Sequence, residues 1–96
     1  MIAATPPACY AKISAYYATN HEVGPFYTQV VTDGAYAFVN WHGTQSGGVG
    51  IFRHSGGRWC VVTNGGGWIN VDEMVHYGVP RATAQRLYAK MKRVHP

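Results

Sequence analysis

Glycine punctuates the middle of this chain, and that restricts the fold more than any other feature. Between residues 26 and 63, four short runs rich in β-branched and aromatic residues are separated by Asp33-Gly34, by the polar segment 43–48 and by Gly56-Gly57. Runs of this kind read as strands, and such turn pairs join antiparallel neighbours. The expected strands are 26–32, 35–42, 49–54 and 59–63. A type I′ turn at Asp33-Gly34 sets Val31 opposite Tyr36, Gln29 opposite Phe38 and Tyr27 opposite Asn40. One face of that hairpin then carries Phe26, Thr28, Val30, Ala37, Val39 and Trp41. It is the more apolar face and is assigned to the core.

Helices flank the strands. Thr5 can cap a first helix with Pro6 at its first position, and Cys9, Ile13, Tyr16 and Tyr17 recur at helical spacing. Asn20 is a plausible stop, followed by a loop over 21–25. Beyond the strands, Asn64-Gly65-Gly66-Gly67 breaks the sheet. Asn70 and Glu73 have the spacing of a capping box on a short helix that Gly78 ends. Pro80 opens a last helix with Ala84, Leu87, Tyr88 and Met91 on its buried stripe. The expected class is α+β, a single domain over residues 1–96. Its N-terminal helix lies across a four-stranded antiparallel meander in two layers, and a short helix and a basic C-terminal helix follow.

A chain of 96 residues allows one domain. Charged residues are only 12% of it, against roughly 25% in ordinary domains. The net charge of +4 is uneven: residues 81–96 carry Arg81, Arg86, Lys90, Lys92 and Arg93 with no acid, while the remainder is slightly acidic. Such a block attracts anions, but it also describes a solvated helix face that complements the C-terminal end of the helix dipole. No stretch reaches the ~20 apolar residues of a membrane helix. Met1-Ile2-Ala3-Ala4 lacks a basic start and an apolar core, so the chain reads as mature, with any signal peptide already removed.

The two cysteines, Cys9 and Cys60, have no zinc spacing. A disulfide between them stabilises by roughly 3–4 kcal/mol on the chain-entropy estimate and fits an exported, periplasmic or secreted protein. The alternative is two separate buried thiols. In the simplest register between the second and third strands, Val39 and Trp41 face Phe52 and Gly50. Cys60 then shares a face with Ile51 and Val62 and points away from the first helix. A disulfide to Cys9 therefore needs a one-residue shift, most simply a bulge near Gly47-Gly48. The disulfide and the plain register exclude one another.

Few residues are arranged for chemistry. Cys60 and His54 fall on opposite faces of their hairpin, which argues against a nucleophile and base pair. Asp72-Glu73 are helix neighbours that point apart. The five histidines, His21, His42, His54, His76 and His95, include no i, i+4 pair or HExxH, and no glycine cluster has a phosphate-loop pattern. No enzyme activity, metal or cofactor is expected; the alternative is a small enzyme or ligand-binding domain that uses Cys60 and His54, or His42, His54 and His76 brought together from distant segments. Nucleic-acid binding through the last helix is disfavoured, because the strands carry almost no Lys or Arg.

The loops offer a binding surface instead. Gly47, Gly48 and Gly66 are small residues flanked by Trp41, His42 and Trp68, and aromatics on rigid hairpin ends anchor protein interfaces. The competing role for Trp41 and Trp68 is to close the two ends of the core.

A helix leading into Gln29-Val30-Val31-Thr32-Asp33-Gly34 and then Ala35-Tyr36-Ala37-Phe38-Val39 resembles the cystatin-like arrangement. In that family a Gln-x-Val-x-Gly hairpin tip enters the cleft of a papain-type protease. The likeness spans roughly residues 8–42, with Asp33 as an extra residue before the glycine and without the family's glycine trunk and Pro-Trp hairpin. It implies a cystatin-like fold and adds Gln29, Asp33 and Gly34 to the partner-binding residues. Gly47-Gly48, Gly57-Arg58-Trp59, Gly65-Gly66-Gly67 and Gly78-Val79-Pro80 are similar to small exported bacterial proteins of unassigned function. The expectation is an exported inhibitor or immunity-type protein whose partner is a hydrolase or a toxin.

Overall fold

The computed structural model describes residues 9–20, 27–43 and 46–94. The expected cap at Thr5, the loop over 21–25, Phe26 and His95 lie outside them. Along the chain run β1 (Cys9–Tyr10), α1 (Ile13–Asn20), β2 (Tyr27–Asp33), β3 (Tyr36–His42), β4 (Gly47–Ser55), β5 (Arg58–Gly66), α2 (Val71–His76) and α3 (Arg81–Val94). The strands form one antiparallel sheet in the order β1-β5-β4-β3-β2.

This corrects the expected cystatin-like helix on a four-stranded meander. The sheet has five strands, and the extra one is made of residues assigned to the first helix. Cys9 lies directly opposite Cys60, and Tyr10 opposite Trp59. The bond between the cysteines (Cα–Cα 3.9 Å) fixes Cys9 in an extended segment beside β5, so the helical stripe begins only at Ile13. Two layers also become three. Ile13 and Tyr17 of α1 pack on Ala37, Val39 and Phe52. On the opposite face, α2 and α3 bring Met74, Leu87 and Met91 onto Phe38, Val49 and Ile51. β3 is therefore buried on both sides from Ala37 through Asn40.

The hairpin register differs by two residues from expectation. Asp33 pairs with Tyr36, and Gly34 and Ala35 form the turn. Gly34 has φ +58°, and no non-glycine described residue has positive φ. A type I′ turn at Asp33-Gly34 would force Asp33 into that region, so the glycine takes the first central position instead. The strand period is two, so the slip returns every side chain to its expected face. The β4–β5 turn at Gly56-Gly57 has the expected register, with His54 opposite Trp59 and Phe52 opposite Val61.

The conflict between disulfide and register disappears because Cys9 is not on a helix. β3 and β4 pair without interruption through Trp41↔Gly48 and His42↔Gly47, so the bulge expected there does not form. The irregularity lies between Ile51 and Phe52, where Val62 is the extra residue of β5. Val61 packs on the α1 core and Val62 on the other, as strand alternation requires.

The C-terminal elements start and stop where expected. The Asn70 side chain accepts from the Glu73 amide at 2.9 Å, and the Glu73 carboxylate accepts from the Asn70 amide at 3.1 Å. Gly78 and Val79 donate back to Val75 and Met74 in a Schellman ending that buries Val79. Ala84, Leu87 and Met91 are fully buried.

Candidate functional site

The sheet divides the expected binding residues between its two ends. Antiparallel pairing puts the Gly34 turn at one end, with the Gly56-Gly57 turn. Trp41, Gly48 and Gly66 form a cross-strand row at the other, with His42 opposite Gly47. Gln29 sits midway along β2, opposite Asn40.

Three of these residues serve internal contacts. The Asp33 carboxylate accepts from Arg86 Nε at 2.8 Å and from Lys90 Nζ at 3.3 Å. The Arg86 hydrogen bond, joined by that from Lys90, holds the Asp33 carboxyl below its ordinary value. Lys90 also donates to the Thr32 carbonyl at 2.7 Å. Gln29 Nε2 donates to the Val94 carbonyl at 2.6 Å, and Asn40 Nδ2 donates to Gln29 Oε1 at 3.0 Å. The same Asn40 nitrogen lies 3.2 Å from His42 Nε2. Asn40 is 4% exposed, and this chain of amides supplies its partners. Gln29 and Asp33 thus help seat α3 on the β2–β3 hairpin, and His42 joins the same chain through Asn40.

Trp41 is half-buried in the α1 core, closing one end of it. Trp68 is different. Its ring centroid lies 5.6 Å from that of Phe38, and its Nε1 donates to the Tyr88 hydroxyl at 3.3 Å, yet 40% of the residue stays exposed. Beside it, α2 stands off from the end of β5 and leaves a cleft of about 330 Å³. Val49, Thr63, Gly66, Trp68, Glu73 and Tyr77 line it. Thr63, Glu73 and Tyr77 did not emerge from the sequence as binding residues. The i, i+4 spacing of Glu73 and Tyr77 was the available signal, since it puts Tyr77, at the C-cap of α2, one turn beyond Glu73.

Cys60 and His54 are engaged elsewhere. Cys60 is bonded to Cys9, and the His54 ring packs edge-on against Trp59 at 4.8 Å. No cluster of three or more His, Cys, Asp or Glu side chains able to hold a metal is found among the described residues. On the last helix, Arg86 and Lys90 hold Asp33, Arg81 pairs with Asp72 at 2.9 Å, and Lys92 lies 5.9 Å from the Tyr88 ring centroid. The disulfide points to an oxidising, exported environment. No helix among the described residues is long and apolar enough to cross a membrane. Comparison with family models, with curated proteins and with solved structures finds no match for this chain.

Proposed function

We propose that this chain is a small exported domain, periplasmic or secreted, that binds another protein and performs no chemistry. The binding surface is the sheet end that carries Gly47, Gly48, Gly66 and Trp68. In its most concrete form it is an inhibitor or immunity-type protein that covers the working surface of a hydrolase or toxin. The observation that carries this reading is Trp68, an exposed aromatic held in place by the core. An exposed indole that is already immobilised loses little freedom on binding, which is the property of an interface anchor. Beside it, Gly65 and Gly66 are exposed backbone without side chains, which lets a partner's backbone approach. The internal pairing of Arg81, Arg86 and Lys90 speaks against the last helix as a nucleic-acid surface.

The test is affinity measurement with a partner captured from the source organism. Trp68→Ala is expected to raise the Kd by at least about tenfold, the scale of a hot-spot residue. Arg58→Ala, at the opposite end of the sheet, is expected to leave it unchanged. A Kd that moves with Arg58 and ignores Trp68 removes this surface from consideration.

A further inference from the structure

Three acids lie among the described residues, and two of them are neutralised. Asp33 is met by Arg86 and Lys90, and Asp72 by Arg81. Glu73 has no cationic partner among the described residues, although the chain as a whole carries +4. Its carboxylate accepts the Asn70 amide through Oε1, and the residue is exposed. Glu73 lines the cleft beside β5 together with Trp68 and Tyr77, which are 40% and 47% exposed. The floor at Gly65 is bare backbone, where an added Cβ meets nothing within 4 Å.

A carboxylate beside two exposed aromatic rings is the chemistry that receives an organic cation. The ring faces are electron-rich and attract positive charge, and the carboxylate supplies the counter-ion. A phosphate or carboxylate ligand meets repulsion from Glu73. A neutral sugar can stack on the rings but gains nothing from the charge. A flat guanidinium can do both, stacking on the indole while bonding the carboxylate.

We infer that the cleft between α2 and the end of β5 receives a cationic side chain of the protein partner, arginine before lysine, with Glu73 as counter-ion and Trp68 and Tyr77 as walls. This rests on the protein-binding reading above and names the chemistry that the partner must present.

The test is a 15N NMR titration of the full chain with acetyl-Gly-Arg-Gly-amide, its lysine counterpart and its citrulline counterpart, which keeps the shape of arginine without the charge. The arginine peptide is expected to shift the Trp68 indole and the Gly65, Gly66 and Tyr77 amides. The citrulline peptide is expected to bind at least about fivefold more weakly. Glu73→Gln retains the capping box, because Gln also serves at that position. It is expected to reduce arginine binding to the citrulline level. Gly65→Leu fills the floor at a position without positive φ and is expected to abolish the shifts. Equal binding of the arginine and citrulline peptides, indifference to Glu73→Gln, or tighter binding of N-acetylglucosamine overturns the inference. A captured partner that is lost with Trp68→Ala but unaffected by Glu73→Gln sinks the cation site and leaves the binding surface standing. Peptide binding alongside a Kd that ignores Trp68 does the reverse.

Discussion

Tyr17 is 4% exposed on the underside of the sheet, and its hydroxyl donates to Asn64 Oδ1 at 2.8 Å. Burial, with Tyr16 adding to it, pushes the phenol above its ordinary value, so the group stays a donor across the physiological range. The bond crosses directly over Gly50, where an added Cβ collides with the Tyr17 hydroxyl and comes within 2.8 Å of the Asn64 oxygen. Tyr17→Phe is expected to cost about 1–3 kcal/mol, because it strands a half-buried acceptor. Gly50→Ala is expected to cost a similar amount by displacing the same hydroxyl. Since both remove one interaction, the double variant should lose clearly less than the two costs combined when urea midpoints are compared. Full additivity would mean that Gly50 has a different role. Gly48 is a harder case. Its added Cβ runs into the Gly65 carbonyl, and backbone cannot swing aside as a tyrosine can. Gly48→Ala should therefore cost about 1–3 kcal/mol with no rescue by a second substitution at Tyr17.

Among the elements, α3 shows how charge is used. It is held to the β2–β3 hairpin by Asp33, whose carboxyl is depressed chiefly by the Arg86 hydrogen bond. A carboxyl depressed in the folded state binds protons more readily once the chain unfolds. Its contribution is complete above the ordinary aspartate value, about 4, and is lost as the pH falls through the lower folded value. Denaturant midpoints followed from neutral pH downward should fall in that acid window, and Asp33→Asn should flatten the fall. An unaltered acid limb in Asp33→Asn would place the acid sensitivity elsewhere. The C-terminal helices were legible in the sequence because each carries its own signals: a capping box at Asn70, a glycine end at Gly78 and a buried stripe from Ala84 to Met91. The first helix starts later than its periodicity implies, because Cys9 shares the helical period of Ile13 and Tyr17 yet lies in β1. Periodicity sees only local spacing, whereas the bond to Cys60 is a long-range constraint that overrides it. The β2–β3 turn slipped by two residues for a related reason. An Asp-Gly pair is a turn signal on its own, but this Asp33 is engaged by cations 53 and 57 residues away.

Among the described residues the centre of the sheet is buried on both faces, and the run Ala37-Phe38-Val39 already contained that information: it is continuously apolar, where a strand with one wet face alternates. The binding residues were harder to place. Sequence could mark Trp68 and the glycines, but only the stand-off of α2 from β5 makes a cleft, and no local pattern encodes that spacing. What locks the assembly is the Cys9–Cys60 bond, which closes a separation of 51 residues and ties β1, the shortest strand and one edge of the sheet, to β5. β1 pairs through only two residues, too few to hold a strand by ladder bonds alone. The bond must then act on both states, fixing β1 in the folded chain and shortening the unfolded one. Reduction should add two hydrogens to the mass and lower stability by roughly 3–4 kcal/mol. It should also raise the denaturant m-value, because the unlinked unfolded chain exposes more surface. The Cys9→Ala, Cys60→Ala double variant should match the reduced protein in both midpoint and slope. An unchanged midpoint in that variant would show that β1 is dispensable to the fold, and that the cooperative unit is made by α1, the four strands from β2 to β5 and the two C-terminal helices.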